Sequence, residues 1–551
     1  MRFRRQSVVR LGFLPGKLML FNSYSFIFVF LPLVLFGYFA AGAVDLKSLQ
    51  SRRQVLLRDF RSINGTRIIN ILVPTAFRSP REGPAEKFRE LRKVGTSRLG
   101  AQVPVIWLAL ASLVFYSFSN WQFVPLLLGS IAFNYLIGWF LISRHLRAGP
   151  RLAVLAAGVA GDLFALGVFK YAGFLVVNFN AAFSTAIAVN ILLPVGISFY
   201  TFTQIAFLVD AYRGKVAHYA LPHYALFVTY FPHLIAGPIL HHRDMIPQFE
   251  SSDSKRPNPH LILCGLIIFG IGLFKKTGLA DGIQPLVSLA FNQPAPSFDQ
   301  AWIGALAYTF QLYFDFSGYS DMAIGISLMF GIFLPLNFNS PYKARNIIDF
   351  WRRWHMTLSQ FLRDYLYIPL GGNRHGSLLR YVNLMITMLL GGLWHGAAWT
   401  FVAWGALHGL YLCINHAWIN YGPPIPPALA RPAGMVARLL TFLAVVVAWV
   451  FFRAESLTSA LSVLSRMADP GQIVFGHSEM VQGVLIAIYA AIAWFVPNTQ
   501  GIMGYDHKNR RVGENLSAWR LRPWLVYGGA AAFAFGILGI QQHSEFIYFR
   551  F

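Results

Sequence analysis

The sequence predicts an all-α, polytopic membrane protein with about 10–13 transmembrane, tilted and re-entrant helices, each full span needing about 20 mostly apolar residues. Three observations carry this. Of the 551 residues, 56% are hydrophobic and only 12% are charged, about half the charged share of a soluble domain. Apolar segments recur along almost the whole chain, leaving no room for a large soluble domain. The basic residues, which bring the net charge to +24, fall in short runs between those segments. That is the pattern of loops held on the cytoplasmic face and of contact with anionic lipid. It disfavours a nucleic-acid partner, because no basic face with interleaved aromatics stands clear of the membrane.

Taken in order, residues 1–18 form a basic extension (Arg2, Arg4, Arg5, Arg10, Lys17). Residues 19–43 are read as the first transmembrane helix, too long for the apolar core of a secretory signal. Residues 44–100 form a basic cytoplasmic or interfacial loop: positions 51 to 100 carry 12 Lys/Arg against 4 Asp/Glu. Short apolar pieces among those arginines suggest an amphipathic helix on the membrane surface. Residues 101–551 form the membrane domain. Its apolar segments lie near 103–118, 121–143, 152–178, 184–209, 220–239, 259–279, 301–314, 318–336, 379–395, 398–417, 434–452, 481–496 and 523–541.

Several of these are interrupted. Residues 231–240 hold two prolines and a glycine, and 385–396 hold a Gly-Gly pair and a histidine. Broken helices at membrane depth are tolerated only inside protein or beside a wet cavity, which points to a re-entrant site. No internal repeat is visible, which counts against many transporters. Residues 342–374 place Trp351, Trp354, Leu358, Phe361 and Tyr365 on one helical face, with Arg352, Arg353, Gln360, Arg363 and Asp364 on the other, and read as one amphipathic helix. The two cysteines, Cys264 and Cys413, lie in apolar stretches and read as packing.

Three clusters could carry chemistry. Asp315-Phe316-Ser317-Gly318-Tyr319-Ser320-Asp321 places carboxylates between apolar segments, where they are costly and usually functional; a polar turn at the membrane surface explains them equally. Around Phe350 to Ser359, His355 leans toward the apolar face, which suits packing or helix capping as well as catalysis. In Gly391-Gly392-Leu393-Trp394-His395-Gly396-Ala397-Ala398-Trp399, a histidine stands among glycines in an apolar segment. Small neighbours let a substrate or another backbone come close, and imidazole can take and return a proton near neutral pH. A histidine satisfied by a buried carbonyl is the alternative. None of the clusters has metal-ligand spacing, so no metal is expected.

At these clusters the sequence resembles the membrane-bound O-acyltransferase family, in its bacterial alginate O-acetyltransferase-like branch. The resemblance is carried by Met19 to Ser23, Tyr230 to Pro238, Asp315 to Asp321, Asn337 to Tyr342, Phe350 to Gly372, Gly391 to Trp399 and Phe546 to Phe549. It implies a central funnel with a catalytic core at about 310–417. It places the catalytic pair on His395 and His355, and substrate contacts on Trp394, Asp315, Ser317, Asn339, Arg352 and Trp351. It further implies an O-acetyltransferase of the inner (cytoplasmic) membrane with no bound cofactor, drawing on acetyl-CoA or another acyl thioester. The acyl group would move across the membrane toward hydroxyls of an extracellular or periplasmic polysaccharide of alginate type. A periplasmic or membrane-anchored acetyltransferase partner would complete the transfer, in contact with membrane lipid. A transporter for polysaccharide or lipid precursors, and a lipid or teichoic-acid-type acyltransferase, are the rival readings. The loop 44–100 and the 18 residues before Met19 depart from the family pattern, so Met19 is the expected start, with the N-terminus outside.

Overall fold

The computed structural model describes residues 19–44, 102–143, 148–293, 295–424, 426–472, 476–513, 523–540 and 546–547. The basic extension and the loop 44–100, beyond its first residue, lie outside the described residues. In chain order, apart from single helical turns at Phe231–Leu234 and Thr499–Met503, the helices are α1 (Phe26–Val44), α2 (Val103–Asn120), α3 (Val124–Ile142), α4 (Ala148–Phe183), α5 (Ile197–Tyr212), α6 (Leu221–Thr229), α7 (His242–Glu250) and α8 (Pro259–Phe291). Then come α9 (Phe298–Met329), α10 (Ile347–Trp351), α11 (Met356–Leu362), α12 (Gly376–His395), α13 (Trp399–Tyr421), α14 (Ala430–Arg453), α15 (Leu457–Met467), α16 (His477–Phe495) and α17 (Pro523–Leu538). Among the described residues there is no strand, only an isolated bridge between Asp506 and Arg511.

The chain is an all-α, multi-pass membrane protein. Seven helices among the described residues are long and apolar enough to cross a membrane, and Val103–Ser119 and Pro523–Leu538 are shorter apolar helices. Phe36, Trp121, Phe164, Leu378, Leu440 and Phe495 stand exposed on the outside, a surface that suits lipid rather than water. Local chemistry sets the helix starts. Proline occupies the first turn of α2, α3, α6 and α8, where no backbone donor is needed. Asn258 caps α8, and Ser297 with Gln300 forms a reciprocal capping box on α9.

The centre is α9, 32 residues long and buried along nearly all its length. The sequence divides this stretch at Asp315–Asp321; the structure runs one unbroken helix through it. The reason is visible in the packing against α8. A Cβ on Gly318 would stand 2.7 Å from the Gly272 carbonyl oxygen, so the two backbones touch there as small residues allow. One turn away on each helix, Lys276 meets Asp315 at 2.7 Å and Asp281 at 2.8 Å, and Lys275 meets Asp321 at 2.6 Å. The carboxylates are therefore neutralised inside the bundle rather than solvated at a surface turn.

The single amphipathic helix expected over 342–374 is also corrected. The stretch breaks into α10, a reversal at 352–355, α11 and a π-turn at Arg363–Tyr367. Partners from outside the helix take its backbone donors: the Asn346 side chain accepts from Asp349 N at 2.8 Å, the backbone carbonyl of Asn337 accepts from Met356 N at 2.9 Å, and Asn337 Oδ1 accepts from Thr357 N at 3.4 Å. Likewise, 184–209 divides into an irregular stretch and α5, which starts after Gly196 at φ 77°.

Candidate active site

His395 is the last residue of α12. Gly396 leaves the helix in extended conformation, and α13 begins at Trp399. The glycines around the histidine serve this hairpin: a Cβ on Gly392 would collide with the Phe401 carbonyl oxygen, and one on Gly396 with the Phe401 ring. Close approach of backbone and ring thus accounts for both. His395 is 4% exposed. Three rings meet it edge to face, with centroids at 5.0 Å (Trp394), 4.9 Å (Trp404) and 5.2 Å (Phe452).

His355 is wholly buried and sits in the left-handed region at φ 42°. A non-glycine residue there is strained, and such strain persists only when the surroundings impose it. Here Asn337 imposes it. Its Oδ1 stands 2.9 Å from His355 Nδ1 and accepts from Thr357 Oγ1 at 3.0 Å, while Thr357 Oγ1 itself accepts from Ile239 N at 3.0 Å. An amide oxygen only accepts, so His355 Nδ1 carries the proton and, in the neutral ring, Nε2 carries the lone pair. Phe316 meets the His355 ring at 4.8 Å, and Trp394 at 6.1 Å. Trp394 therefore touches both histidines, and Phe199 and Phe202 hold it on its other sides at 5.4 and 5.2 Å.

A cavity of about 390 Å³ lies on the far side of Phe452 and Phe401. Its buried floor includes Asp281, Tyr308, Gln311 and Thr400, and its exposed rim includes Gln284, Asn292 and Glu455. Its size is within the range of small-molecule sites. Phe452 lines it and also touches His395, so one ring separates polar space from the imidazole.

The structure brings His395, His355 and Trp394 together, and joins Trp351 to them through Trp404 at 5.8 Å. Asp315 is held by Lys276 and accepts from Ile547 N at 3.0 Å. Ser317 is buried next to Phe316. Arg352 and Asn339 are exposed, Asn339 accepting from Asn498 at 2.8 Å, whereas both histidines are buried. Two residues were not singled out from sequence. Asn337 lies in the family-like stretch but is not separable there from Asn339. His408 is fully buried among Trp404 at 4.8 Å, Trp351 at 5.1 Å and Phe350; a histidine inside an apolar helix was its only signal.

Two histidines lie buried in a multi-pass helical bundle, walled by aromatics, with a polar cavity beside Phe452, an arrangement that fits a membrane-embedded enzyme. The chain belongs to the membrane-bound O-acyltransferase family: the model of "MBOAT, membrane-bound O-acyltransferase family" matches residues 176–453. It is 46% identical over 401 residues to the peptidoglycan O-acetyltransferase of Helicobacter pylori, covering 68% of this chain and 75% of that protein. It is 42% identical over 465 residues to the probable alginate O-acetylase AlgI of Pseudomonas putida, covering 81% of this chain and 94% of that protein. The teichoic acid D-alanyltransferase of Bacillus subtilis is 29% identical over 239 residues, 41% of this chain and 60% of that protein. The protein is an O-acetyltransferase.

Proposed function

We propose that this enzyme moves an acetyl group from a cytoplasmic thioester, of the acetyl-CoA kind, toward hydroxyls of a polysaccharide beyond the inner membrane. The observation that carries the reading is the placement of His395: sealed by aromatics on one side, and one ring away from a polar cavity on the other. The cavity offers amides, carboxylates and a hydroxyl-bearing aromatic (Gln311, Asn292, Asp281, Glu455, Tyr308), a set suited to a hydroxylated acceptor. The relatives named for peptidoglycan and alginate support a glycan as the acceptor class. Charge supports the sidedness. Arg374 and Arg380 flank the start of α12, and Arg431 and Arg438 lie at the start of α14. The positive-inside rule assigns those ends to the cytoplasm, and with them the loop 44–100. The cavity, at the opposite ends of the same helices, then faces outward.

In this reading His395 takes the acceptor proton as the hydroxyl oxygen attacks the thioester carbonyl. The carbon–sulfur bond breaks, an ester forms, and the thiolate leaves with the proton returned from the imidazolium. General-base assistance of this kind contributes about 10²–10⁴-fold. His355, with its proton fixed on Nδ1, orients the acyl group or the Trp394 wall. Exclusion of water by the aromatic shell prevents simple hydrolysis. A periplasmic or membrane-anchored acetyltransferase is the partner expected to complete transfer to the polymer. A transporter would leave thioester unconsumed. The experiment is acyl-thioester turnover and glycan acetylation by membranes carrying wild type or His395→Ala at equal abundance. Loss of both activities in the variant is expected; retained acetylation would overturn the assignment.

A further inference from the structure

Inside the apolar helix α4, the sequence carries one lysine, Lys170, in a π-turn spanning Gly167–Tyr171. A lysine at membrane depth is costly and usually functional, and single π-turns often mark functional sites. Lys170 Nζ donates to the carbonyl oxygen of His395 at 3.2 Å, to that of Trp394, and to Ser198 Oγ at 3.2 Å. The next residue, Tyr171, donates its hydroxyl to the Leu393 carbonyl at 2.8 Å. Lys170 Nζ also lies over the Trp394 ring, 5.8 Å from its centroid.

The last carbonyls of a helix have no partner inside it, and a cation is favoured at that negative end of the dipole. Consecutive side chains from α4 therefore satisfy the three consecutive carbonyls of Leu393, Trp394 and His395. An ordinary α-turn rotates neighbouring side chains about 100° apart; the wider π-turn brings both onto the end of α12.

We infer that Lys170, assisted by Tyr171, is a positioning residue for the transfer reaction: it latches the end of α12 and so sets the His395 imidazole and the Trp394 ring relative to the acyl group. The inference rests on His395 being the general base. A misplacement of about 1 Å at a reacting group can cost about 10²-fold, so a latch on the backbone of the base acts directly on turnover.

The test compares Lys170→Met, Lys170→Arg, Tyr171→Phe and His395→Ala in the full-length protein, with acetyl thioester as donor and turnover normalised to folded protein in the membrane. Lys170→Met is expected to lower kcat at least tenfold with the donor KM unchanged. Lys170→Arg should recover part of the loss, and Tyr171→Phe should show a smaller loss of the same kind. Wild-type kcat in Lys170→Met beside an inactive His395→Ala overturns the latch alone. An active His395→Ala overturns the reading on which it stands, and the latch with it. If Lys170→Met does not accumulate, Tyr171→Phe decides: lowered kcat at unchanged KM supports the latch, and wild-type kcat overturns it.

Discussion

His355 Nδ1 and Asn337 Oδ1 stand 2.9 Å apart, and the same oxygen accepts from Thr357 Oγ1 at 3.0 Å. One buried amide therefore fixes both the tautomer of the histidine and the strained turn on which it sits. Asn337→Ala removes the acceptor of three donors at once, His355 Nδ1, Thr357 Oγ1 and, at 3.4 Å, Thr357 N, which costs roughly 1–3 kcal/mol for each group left without its partner. Turnover is expected to fall by up to about 10²-fold through loss of ring orientation. Asn337→Asp, which keeps an acceptor oxygen, should retain more. Equal activity in Asn337→Ala and wild type would show that the orientation of His355 does not matter.

His355→Ala is expected to reduce acetyl transfer strongly but less completely than His395→Ala. The double variant should be no worse than His395→Ala alone, because residues acting as a unit are not additive. A His355→Ala enzyme with unchanged kinetics would reduce that histidine to packing.

Phe452 separates the polar cavity from His395, touching the imidazole at a centroid distance of 5.2 Å. Phe452→Ala should cost about 3–5 kcal/mol of stability and open a path for water. The expected signature is acyl-thioester hydrolysis that rises while acetylated product falls, read by following free thiol and ester together. Coupled turnover at the wild-type ratio would mean that this ring is not the seal.

Lys276 bridges Asp315 and Asp281 at 2.7 and 2.8 Å inside the bundle. Lys276→Met leaves two buried carboxylates without their counter-charge, a loss of about 3–5 kcal/mol. It should lower the melting temperature in detergent and the amount of protein in the membrane. Adding Asp315→Asn and Asp281→Asn should restore most of the loss, since neutralising the whole group removes the unpaired charge.

Topology is tested with two reporters. One fused after residue 60 should read cytoplasmic, and one fused after Glu455, at the cavity rim, should read periplasmic. The same side for both would contradict the outward-facing cavity.

The membrane class and the helical content were legible because each is a local property. A lipid-facing helix must be apolar along its length, whereas the glycines beside His395 record the close packing of Phe401 on the end of α12, which the sequence does not separate from a substrate site. The family-like stretches pointed to His355 and His395 as a pair, and the structure sets both rings against Trp394. What the sequence by itself could not decide was continuity and partnership. Asp315–Asp321 looks like a break in an apolar run until Lys275 and Lys276 of the neighbouring helix are beside it. The aromatic periodicity over 342–374 looks like one helix until Asn337, 18 residues before His355, accepts from the backbone N–H groups of Met356 and Thr357 that would have continued it. Asn337 and Asn339 are equivalent as letters, yet one is buried under a histidine and the other faces out. Lys170 lies 225 residues from His395 in the chain and donates to its carbonyl in the fold. Periodicity reports which face of a helix avoids water. Only tertiary structure decides which buried polar group meets which, because those hydrogen bonds and ion pairs form between segments whose separation along the chain carries no signal.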